Sequence, residues 1–502
     1  MASVNDEPEE SEMERFMHRI GSDDVAPAKG EYLSTYNPVT AEPWGEIARG
    51  TEPDIDRAVS AAAKAFATWA KTPPSARAEL LWQLGDLVTE HAEDLARLEA
   101  MDIGKVIREM RGQMQGLPRW YRYFAGQTHN LQGSVIPLDS PSVLNYTRRD
   151  PFGVVAIIPP FNSPILLTSF ALAPALAAGN TAVVKPSEHA SAAVVLFAKL
   201  FDEAGFPPGV VNVVTGLGPE AGDALVGHPE VRKVVFTGGV ETAKRVAARA
   251  AEGVKPTILE LGGKSANIIF PDADVSSAVN GVIAGIFAAA GQTCLAGSRL
   301  LVHEDVADRV VEAISERART IVLGDPLQDQ TEMGPVAQPA IRDRAGERVR
   351  EALAVGAVAT AGGEPEAVAD RGGWFFPPTV LDNVSNDMPV AREELFGPVL
   401  SVIRVSGEDE AVTIANDSPF GLAAGLWTRD LNRAHRMANA LEASFVWINT
   451  YRALSYASPF GGRKLSGYGR ELGREGLLEF SQTKSVWIET SEEPMGDPFV
   501  LR

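Results

Sequence analysis

From Val154 onward, apolar segments typical of strands alternate with segments of helical periodicity, and this alternation restricts the possible fold more than any other feature. The predicted strands are Val154–Ile158, Thr181–Lys185, Val210–Thr215 and Val231–Thr237. The predicted helices are Ile165–Ala178, Ala190–Ala204, Glu220–Val226 and Glu241–Ala251. Regular alternation of this kind predicts a parallel sheet with helices on both faces.

A second alternating series begins after Glu260. It contains a helix near Ser276–Ala290, a strand at Arg299–His303, a helix at Asp305–Ile321 and a strand–helix pair around residues 398–415. This series predicts a second α/β domain. The 502 residues agree with two to four domains, since a domain has roughly 150 residues.

The N-terminal part of the chain reads differently. Apolar residues at helical spacing predict three helices, at Pro53–Lys71, Ser75–Met101 and Val106–Gln127. Six acidic residues fall between Asp6 and Glu14, so the first thirty or so residues are predicted to form a mobile arm or a loosely docked helix. The acidic start lacks the basic patch and apolar run of an export signal, and we expect a cytoplasmic protein.

Charge excludes several classes of partner. The chain carries 46 Lys and Arg against 66 Asp and Glu, a net charge of −20, and a field of this sign repels phosphate backbones and anionic lipid surfaces. We therefore expect neither nucleic-acid nor membrane partners. Residues 151–184 carry no charge, but four prolines interrupt them, so they are predicted to form a buried strand, loop, helix and strand rather than a membrane span.

The chain has a single cysteine, Cys294, which excludes an intrachain disulfide framework and a cysteine-rich metal site. The seven histidines show no metal-ligand spacing, and no metal site is predicted. Cys294 follows an apolar helix and lies between Gly291 and Gly297. Free cysteines are commonly buried and inert, but a flexible glycine-flanked loop can also present a reactive thiolate.

Two short glycine motifs carry little weight. Residues 216–221, GLGPEA, match a dinucleotide fingerprint but have no acidic partner at the usual distance, so a plain strand-to-helix turn is at least as good an interpretation. Residues 262–265, GGKS, resemble the end of a phosphate loop, but the first glycine of that motif would fall on Ile258 within an apolar strand.

Seven segments together carry a specific resemblance. They are PPFNSP at 159–164, VKPSE at 184–188, FTGG at 236–239, LELGGK at 259–264, GQTC at 291–294, EELFGP at 393–398 and PFGGRKLSG at 459–467. In this order they resemble the signatures of the NAD(P)-dependent aldehyde dehydrogenases, and the resemblance covers nearly all of residues 35–490.

The resemblance implies three catalytic residues. Cys294 matches the nucleophile that adds to the aldehyde, and Asn162, with the backbone N–H of Cys294, matches the donors that stabilise the oxyanion. Glu260 matches the base that activates water for thioester hydrolysis, and a carboxylate at an apolar strand end is costly unless it is used or paired. Enzymes of this type that pass the acyl group to coenzyme A generally lack this glutamate, so the resemblance implies hydrolysis.

The resemblance also implies NAD as the cofactor. Lys185 and Glu188 match the residues that hold the adenosine ribose, and a carboxylate there repels the 2′-phosphate of NADP. Gly239, where the family more often has serine, opens a helix toward the pyrophosphate. Glu394 matches the residue that binds the nicotinamide ribose. The remaining cofactor-lining positions implied by the motifs are Pro160, Phe161, Thr237, Gly238, Leu261 and Phe396.

A passage for the aldehyde is implied by a further set of positions, and the small Ser163 should widen it. Its predicted lining is Ser163, Leu167, Phe170, Thr293, Leu295, Arg452, Leu454 and Phe460. Arg452 is the exception among mainly apolar walls. A guanidinium there can clamp the distal carboxylate of a semialdehyde, or it can be a solvated arginine or one paired with a nearby acid.

The implied fold is α/β and aldehyde-dehydrogenase-like. Residues 1–130 and 151–261 are predicted to form a parallel-sheet cofactor domain, 262–477 an α/β catalytic domain, and 131–150 with 478–502 a β oligomerisation arm. Val486–Ile488 can extend a neighbouring subunit's sheet, which predicts a homodimer or homotetramer. Two other functions stay open: a non-catalytic scaffold of the same fold, and a thiol-dependent acyltransferase or esterase that needs no nicotinamide.

Overall fold

The computed structural model describes residues 13–364 and 372–500. The strands are β1 Glu14–Phe16, β2 His18–Ile20, β3 Asp23–Val25, β4 Tyr32–Asn37, β5 Glu42–Ala48, β6 Val135–Ile136, β7 Val143–Pro151, β8 Val154–Ile158, β9 Thr181–Val184, β10 Val211–Val213, β11 Val231–Gly238, β12 Thr257–Leu261, β13 Ala266–Ile269, β14 Arg299–His303, β15 Val358–Ala361, β16 Thr379–Asp382, β17 Val399–Val405, β18 Ala423–Trp427, β19 Phe445–Ile448, β20 Gly467–Tyr468 and β21 Ser481–Glu489.

The helices lie mainly between these strands, and three short turns of other helical types occur among the described residues, at Thr128–Asn130, Gly218–Gly222 and Ala288–Gly291. The α-helices are α1 Glu52–Trp69, α2 Pro74–Glu90, α3 Ala92–Ile103, α4 Ile107–Gly116, α5 Pro118–Gln127, α6 Pro164–Ala177, α7 Ala192–Glu203, α8 Asp223–Gly227, α9 Val240–Glu252, α10 Val275–Ile286, α11 Glu304–Thr320, α12 Pro339–Ala354, α13 Pro389–Arg392, α14 Glu408–Asn416, α15 Leu431–Ala440 and α16 Gly473–Glu479.

The first alternating series forms an eight-stranded sheet in the order β20-β12-β11-β8-β9-β10-β2-β3. The five strands from β12 to β10 are parallel, and the edge strands pair with them antiparallel. Strands β8 and β9 are almost wholly buried because helices cover both faces, which explains their unbroken apolar sequences. Within the described residues, no helix combines the length and apolar character needed to cross a membrane.

The second series forms a seven-stranded sheet in the order β15-β16-β17-β14-β13-β18-β19. Six of its strands are parallel, and only the edge strand β15 runs antiparallel. The predicted α/β class, with a parallel cofactor sheet and a second α/β unit, is confirmed. Strand β20, although it lies far along the chain, completes the first sheet beside β12.

Two predictions for the N-terminal region are wrong in detail. The segment Ser75–Met101 contains two helices that meet at His91, and Val106–Gln127 contains two that meet at Leu117. Pro118 explains the second break, because proline has no N–H to continue the helix and its ring clashes with the preceding turn. Apolar spacing continued across both bends, so the periodicity alone did not reveal them.

Residues 14–25 are strands rather than a loosely docked arm or helix, which corrects the prediction for the first thirty residues; residues 1–12 lie outside the described range. Phe16, His18 and Ile20 alternate with exposed or half-buried neighbours and are buried, as strand geometry requires. The acidic composition concealed this alternation. Strand β1 joins β5 and β4 in a three-stranded sheet, while β2 and β3 extend the large sheet.

A separate three-stranded sheet has the order β21-β7-β6 and corresponds to the predicted arm. Strands β7 and β21 pair antiparallel over nine residues each. Val143 is opposite Glu489 at one end, and Pro151 is opposite Ser481 at the other. Trp487 and Ile488 on β21 are 63% and 41% exposed. An exposed apolar strand of this kind is suited to pairing with another chain, and the oligomeric role of the arm stays a prediction.

Candidate active site

The candidate site lies at the carboxyl ends of the parallel strands β8, β9, β11 and β12. The loops that leave these strands carry Asn162, Lys185, Gly239 and Gly262, and all four residues line one cavity of about 780 Å³. Ligands of open parallel sheets bind at this edge, where the loops diverge and helix N-termini face the ligand. The topology thus gathers segments that are far apart in the sequence.

A strained turn presents Cys294. Helix α10 ends at Ile286, and the following turn places Ala289 and Ala290 in the left-handed region, with φ of 54° and 52°. Such backbone is costly for alanine and persists only where the surroundings impose it. At Gly291, with φ 75°, a β-carbon would lie 2.2 Å from the Gly397 carbonyl oxygen, so only glycine fits. The turn directs Cys294 into the cavity.

The surroundings of Cys294 favour the protonated thiol over the thiolate. Burial, followed by the negative charges of Glu394 and Glu260, raises its pKa to about 12. Because the thiolate is the nucleophilic form, the thiol must lose its proton as it reacts. Glu394 and Glu260 line the same cavity as Cys294 and are candidates to accept that proton.

Asn162 is fixed beside the nucleophile. Its side-chain Nδ2 donates a 2.9 Å hydrogen bond to the backbone oxygen of Gln292, two residues before Cys294. Gln292 is itself held, because its side-chain oxygen accepts a hydrogen bond from Ala337 N–H. An amide nitrogen has two N–H groups, so Asn162 keeps one donor for an oxygen atom bound at Cys294.

Glu260, on β12, is 2% exposed, and within the described part of the chain neither of its carboxylate oxygens has a hydrogen-bond partner. Burial, with the nearby carboxylate of Glu471, raises its pKa well above the usual value, and Arg470 only partly offsets this. An unpartnered, perturbed carboxyl group that lines a cleft is a strong candidate for a general base.

All ten predicted cofactor residues line the same cavity of about 780 Å³: Pro160, Phe161, Lys185, Glu188, Thr237, Gly238, Gly239, Leu261, Glu394 and Phe396. Lys185 Nζ lies 3.3 Å from Glu188 Oε2. Burial opposes ionisation of Glu188, but the Lys185 ammonium and hydrogen bonds outweigh it and hold the pKa of Glu188 below its usual value. An ionised carboxylate therefore lines this cavity and can accept a hydrogen bond.

Close packing holds Glu394 at the other end of this cavity. Its Oε1 accepts a 3.0 Å hydrogen bond from Gly263 N–H, and a β-carbon at Gly262 would lie 1.9 Å from its Oε2. Phe396 and Phe161 meet edge to face, with ring centroids 5.6 Å apart. Gly239 begins α9 and has no atom within 4 Å of an added β-carbon, which leaves the helix N-terminus open to a phosphate.

A second cavity, of about 660 Å³, opens on the other side of the nucleophile. All eight predicted passage residues line it: Ser163, Leu167, Phe170, Thr293, Leu295, Arg452, Leu454 and Phe460. Cys294, Asn162 and Leu167 line both cavities. The thiol thus lies where a dinucleotide-sized cleft meets a separate, largely apolar passage.

Comparison with known proteins agrees with this geometry: residues 25–486 match the aldehyde dehydrogenase family. The chain belongs to the aldehyde dehydrogenase family. It is 46% identical over 473 residues to the (Z)-2-((N-methylformamido)methylene)-5-hydroxybutyrolactone dehydrogenase of Acinetobacter baylyi, and the match covers 94% of this chain and 96% of the relative.

Solved aldehyde dehydrogenase structures superpose closely on this chain. PnpE in complex with nicotinamide adenine dinucleotide matches with a TM-score of 0.94 and 41% identity, over 96% of this chain and 99% of PnpE. The NAD⁺ complex of aldehyde dehydrogenase from Bacillus cereus matches with a TM-score of 0.93 and 42% identity, over 95% and 97% of the two chains. The fold of the family is therefore shown over nearly the whole length.

Within this aldehyde dehydrogenase fold, Arg452 is paired rather than free. Its Nη2 lies 3.0 Å from Glu109 Oε1, and its Nη1 donates to the Ala284 carbonyl oxygen. This arrangement corresponds to the alternative in which a nearby acid neutralises the arginine. The acid comes from α4, 343 residues away in sequence, and no local pattern indicates such a pairing.

Three further residues of the site were not predicted from the sequence. Lys105, 4% exposed, donates a 2.6 Å hydrogen bond to Ser163 Oγ, which in turn donates to the Asn162 carbonyl oxygen. Glu471, 1% exposed, has a pKa raised to about 8 by burial and interacts with Glu260. Gly218, within the weak glycine motif, lines the cofactor cavity, so that turn contributes to the site without being a fingerprint.

Proposed function

We propose that the chain oxidises an aldehyde to a carboxylic acid with NAD, through a thioester on Cys294 that water hydrolyses with Glu260 as the base. The observation that carries the proposal is the position of Cys294 at the junction of two cavities, with Asn162 beside it and Glu260 facing the dinucleotide-sized cleft. A nucleophile at such a junction can bind an aldehyde from the passage and hold it next to a cofactor in the cleft.

In the first step, the Cys294 sulfur adds to the carbonyl carbon, the thiol proton passes to a base, and the carbonyl oxygen becomes an oxyanion. Asn162 donates its free N–H to this oxygen, and the backbone N–H of Cys294 is the second donor. Preorganised donors of this kind act without reorganisation, and loss of one typically costs about 100- to 1,000-fold in rate.

NAD is the cofactor, and when bound it supplies the acceptor for the hydride that leaves the tetrahedral carbon. Lys185 and Glu188 would hold the adenosine ribose, and the N-terminus of α9 at Gly239 would bind the pyrophosphate. Glu394 and Phe396 would hold the nicotinamide ribose and ring. The Glu188 carboxylate favours NAD over NADP because it accepts from a 2′-hydroxyl and repels a 2′-phosphate.

Loss of the hydride leaves a thioester on Cys294. Glu260 then takes a proton from a water molecule, the resulting hydroxide adds to the acyl carbon, and the carbon–sulfur bond breaks to release the acid and the thiol. The high pKa of buried Glu260 suits it to take up a proton from water. Entry of water must first restore its ionised form.

The test of this function follows absorbance of NADH with a panel of aldehydes, with ester and thioester hydrolysis measured in parallel without NAD. We expect NADH formation that depends on both NAD and an aldehyde. Ester or thioester turnover without nicotinamide, and no NADH with any aldehyde, would instead favour the acyltransferase or esterase.

We also propose that the protein is a homodimer or homotetramer assembled through the arm strand β21. The exposed apolar side chains of Trp487 and Ile488 support this, since β21 is an edge strand of its sheet and an edge strand with exposed apolar residues favours addition to another sheet. Light scattering on the wild type and on the Trp487→Lys/Ile488→Lys variant tests the proposal, and a smaller particle is expected for the variant. An unchanged particle mass would place the interface elsewhere.

A further inference from the structure

The mouth of the substrate cavity carries a charge opposite to that of the whole protein. Four basic side chains and one carboxylate line it: Lys105, Arg108, Arg119, Arg452 and Glu109. The chain as a whole has a net charge of −20. A cleft lined by one sign of charge concentrates ligands of the other sign, so this mouth favours an anionic molecule.

Pairing within the mouth identifies which cations are available. Arg452 is bound to Glu109 and to a backbone oxygen, and Lys105 is buried against Ser163 Oγ. Arg108 and Arg119 are exposed, and neither has an ion pair or hydrogen bond among the described residues. The charge of Arg108 contributes to the lowered pKa of Glu332, but that carboxylate is hydrogen-bonded to Arg317. Both guanidinium groups therefore keep their hydrogen-bond donors available.

Helix α4, which carries Arg108, has two glycines that leave open space in the cavity. Gly112 and Gly116 follow Arg108 at intervals of four residues, so all three share one face of α4. Both glycines line the cavity, and no atom lies within 4 Å of a β-carbon added at either. The open face leaves room for a substrate to extend from Cys294 toward Arg119.

We propose that the aldehyde substrate carries a carboxylate at the end remote from its carbonyl group, and that Arg108 and Arg119 bind this carboxylate at the mouth. The inference rests on the proposed function, and it assigns carboxylate binding to Arg108 on α4 and Arg119 on α5 rather than to Arg452. The planar guanidinium matches a carboxylate in a two-point contact. The apolar walls at Leu167 and Phe170 suit the carbon chain between the two ends.

The first experiment needs neither NAD nor turnover. Iodoacetate and iodoacetamide alkylate the same thiol by displacement of iodide, but only iodoacetate is an anion. We expect the ratio of their second-order rates at Cys294 to fall roughly tenfold in the Arg108→Gln/Arg119→Gln variant, because the positive field that concentrates the anion in the cavity is weakened. Raised ionic strength should reduce the wild-type ratio by screening.

Arg309→Gln is the matched control, since Arg309 is an exposed arginine on α11 outside both cavities. It should leave the alkylation ratio as in the wild type. The same ratio in the wild type and the double variant would overturn the proposal. Because Arg108 and Arg119 are exposed and unpaired, the variant retains its fold, which circular dichroism verifies.

The second experiment compares kcat/KM for matched aldehydes, succinic semialdehyde against butanal and adipic semialdehyde against hexanal. At least one semialdehyde should be favoured, and the double arginine variant should lose that preference while Arg309→Gln keeps it. If butanal and hexanal are oxidised and neither semialdehyde is preferred to them, the carboxylate site is overturned, while the proposed aldehyde oxidation stands. Absence of NADH with every aldehyde would instead overturn the proposed function.

Discussion

Gly262→Ala tests whether packing at the end of β12 holds Glu394 in place for NAD. An added β-carbon would lie 1.9 Å from Glu394 Oε2, far inside contact distance. The backbone at Gly262 cannot retreat freely, because its carbonyl oxygen accepts a 2.7 Å hydrogen bond from Ser466 Oγ. Glu394 must therefore move and lose its hydrogen bond from Gly263 N–H.

The magnitude follows from the contact that is lost. A hydrogen bond to a charged group contributes about 1.5–3 kcal/mol, and about 1.4 kcal/mol corresponds to a factor of ten. Displacement of the carboxylate from the nicotinamide ribose should thus weaken NAD binding roughly 10- to 150-fold. The added strain itself costs about 1–3 kcal/mol of stability, so the variant should melt at a lower temperature but remain folded.

Isothermal titration calorimetry with NAD measures the effect. Gly126→Ala is the control, because Gly126 lies on α5 outside both cavities and has no atom within 4 Å of an added β-carbon. We expect its Kd to stay within about twofold of the wild type. Wild-type affinity in Gly262→Ala would refute the role assigned to Glu394 and to the packing that positions it.

Three further predictions concern single side chains. Cys294→Ala should form no NADH while it still binds NAD, and substantial aldehyde oxidation by this variant would show that another group is the nucleophile. Glu188→Ala should narrow the preference for NAD over NADP in kcat/KM, and an unchanged preference would assign cofactor choice to another residue. Burial raises the pKa of Glu471 to about 8 in the folded protein, whereas in the unfolded chain this carboxyl group loses its proton near the ordinary pKa of glutamate. The folded state therefore binds the extra proton, and the free energy of unfolding of the wild type falls as the pH rises from about 5 to 8. Glu471→Gln should remove part of that fall in thermal melts, and identical melting profiles for the two proteins across this range would contradict the raised pKa.

The residues predicted to bind the cofactor were taken from motifs that resemble those of the family. Lys185 and Gly239 each follow a strand of the parallel sheet, and strand ends at one edge meet, which explains why the structure brings these two residues into one cavity. Cys294 was recognisable from its glycine-flanked loop and its motif. Its high pKa depends on desolvation by the residues packed around the loop, which has no local signature.

Charge pairing could not be predicted in the same way. The Arg452–Glu109 pair joins residues that are far apart in sequence, and either side chain alone is compatible with a solvated surface. Glu471 reaches Glu260 only because β20 returns to pair with β12 beside it. The N-terminal strands were missed for a related reason, since an acidic composition concealed the buried alternation at Phe16, His18 and Ile20.

The hydrolysis of a Cys294 thioester by a Glu260-activated water is tested with the Glu260→Gln variant. The variant is mixed rapidly with NAD and an aldehyde that the wild type oxidises, quenched with acid and weighed by intact-protein mass spectrometry. Glutamine keeps the size of the buried side chain but cannot accept the proton of water. We expect a burst of about one NADH per site, little turnover afterwards, and an acyl group on Cys294 in the quenched protein. Full steady-state turnover, or a burst with no acyl group on Cys294, would contradict this mechanism.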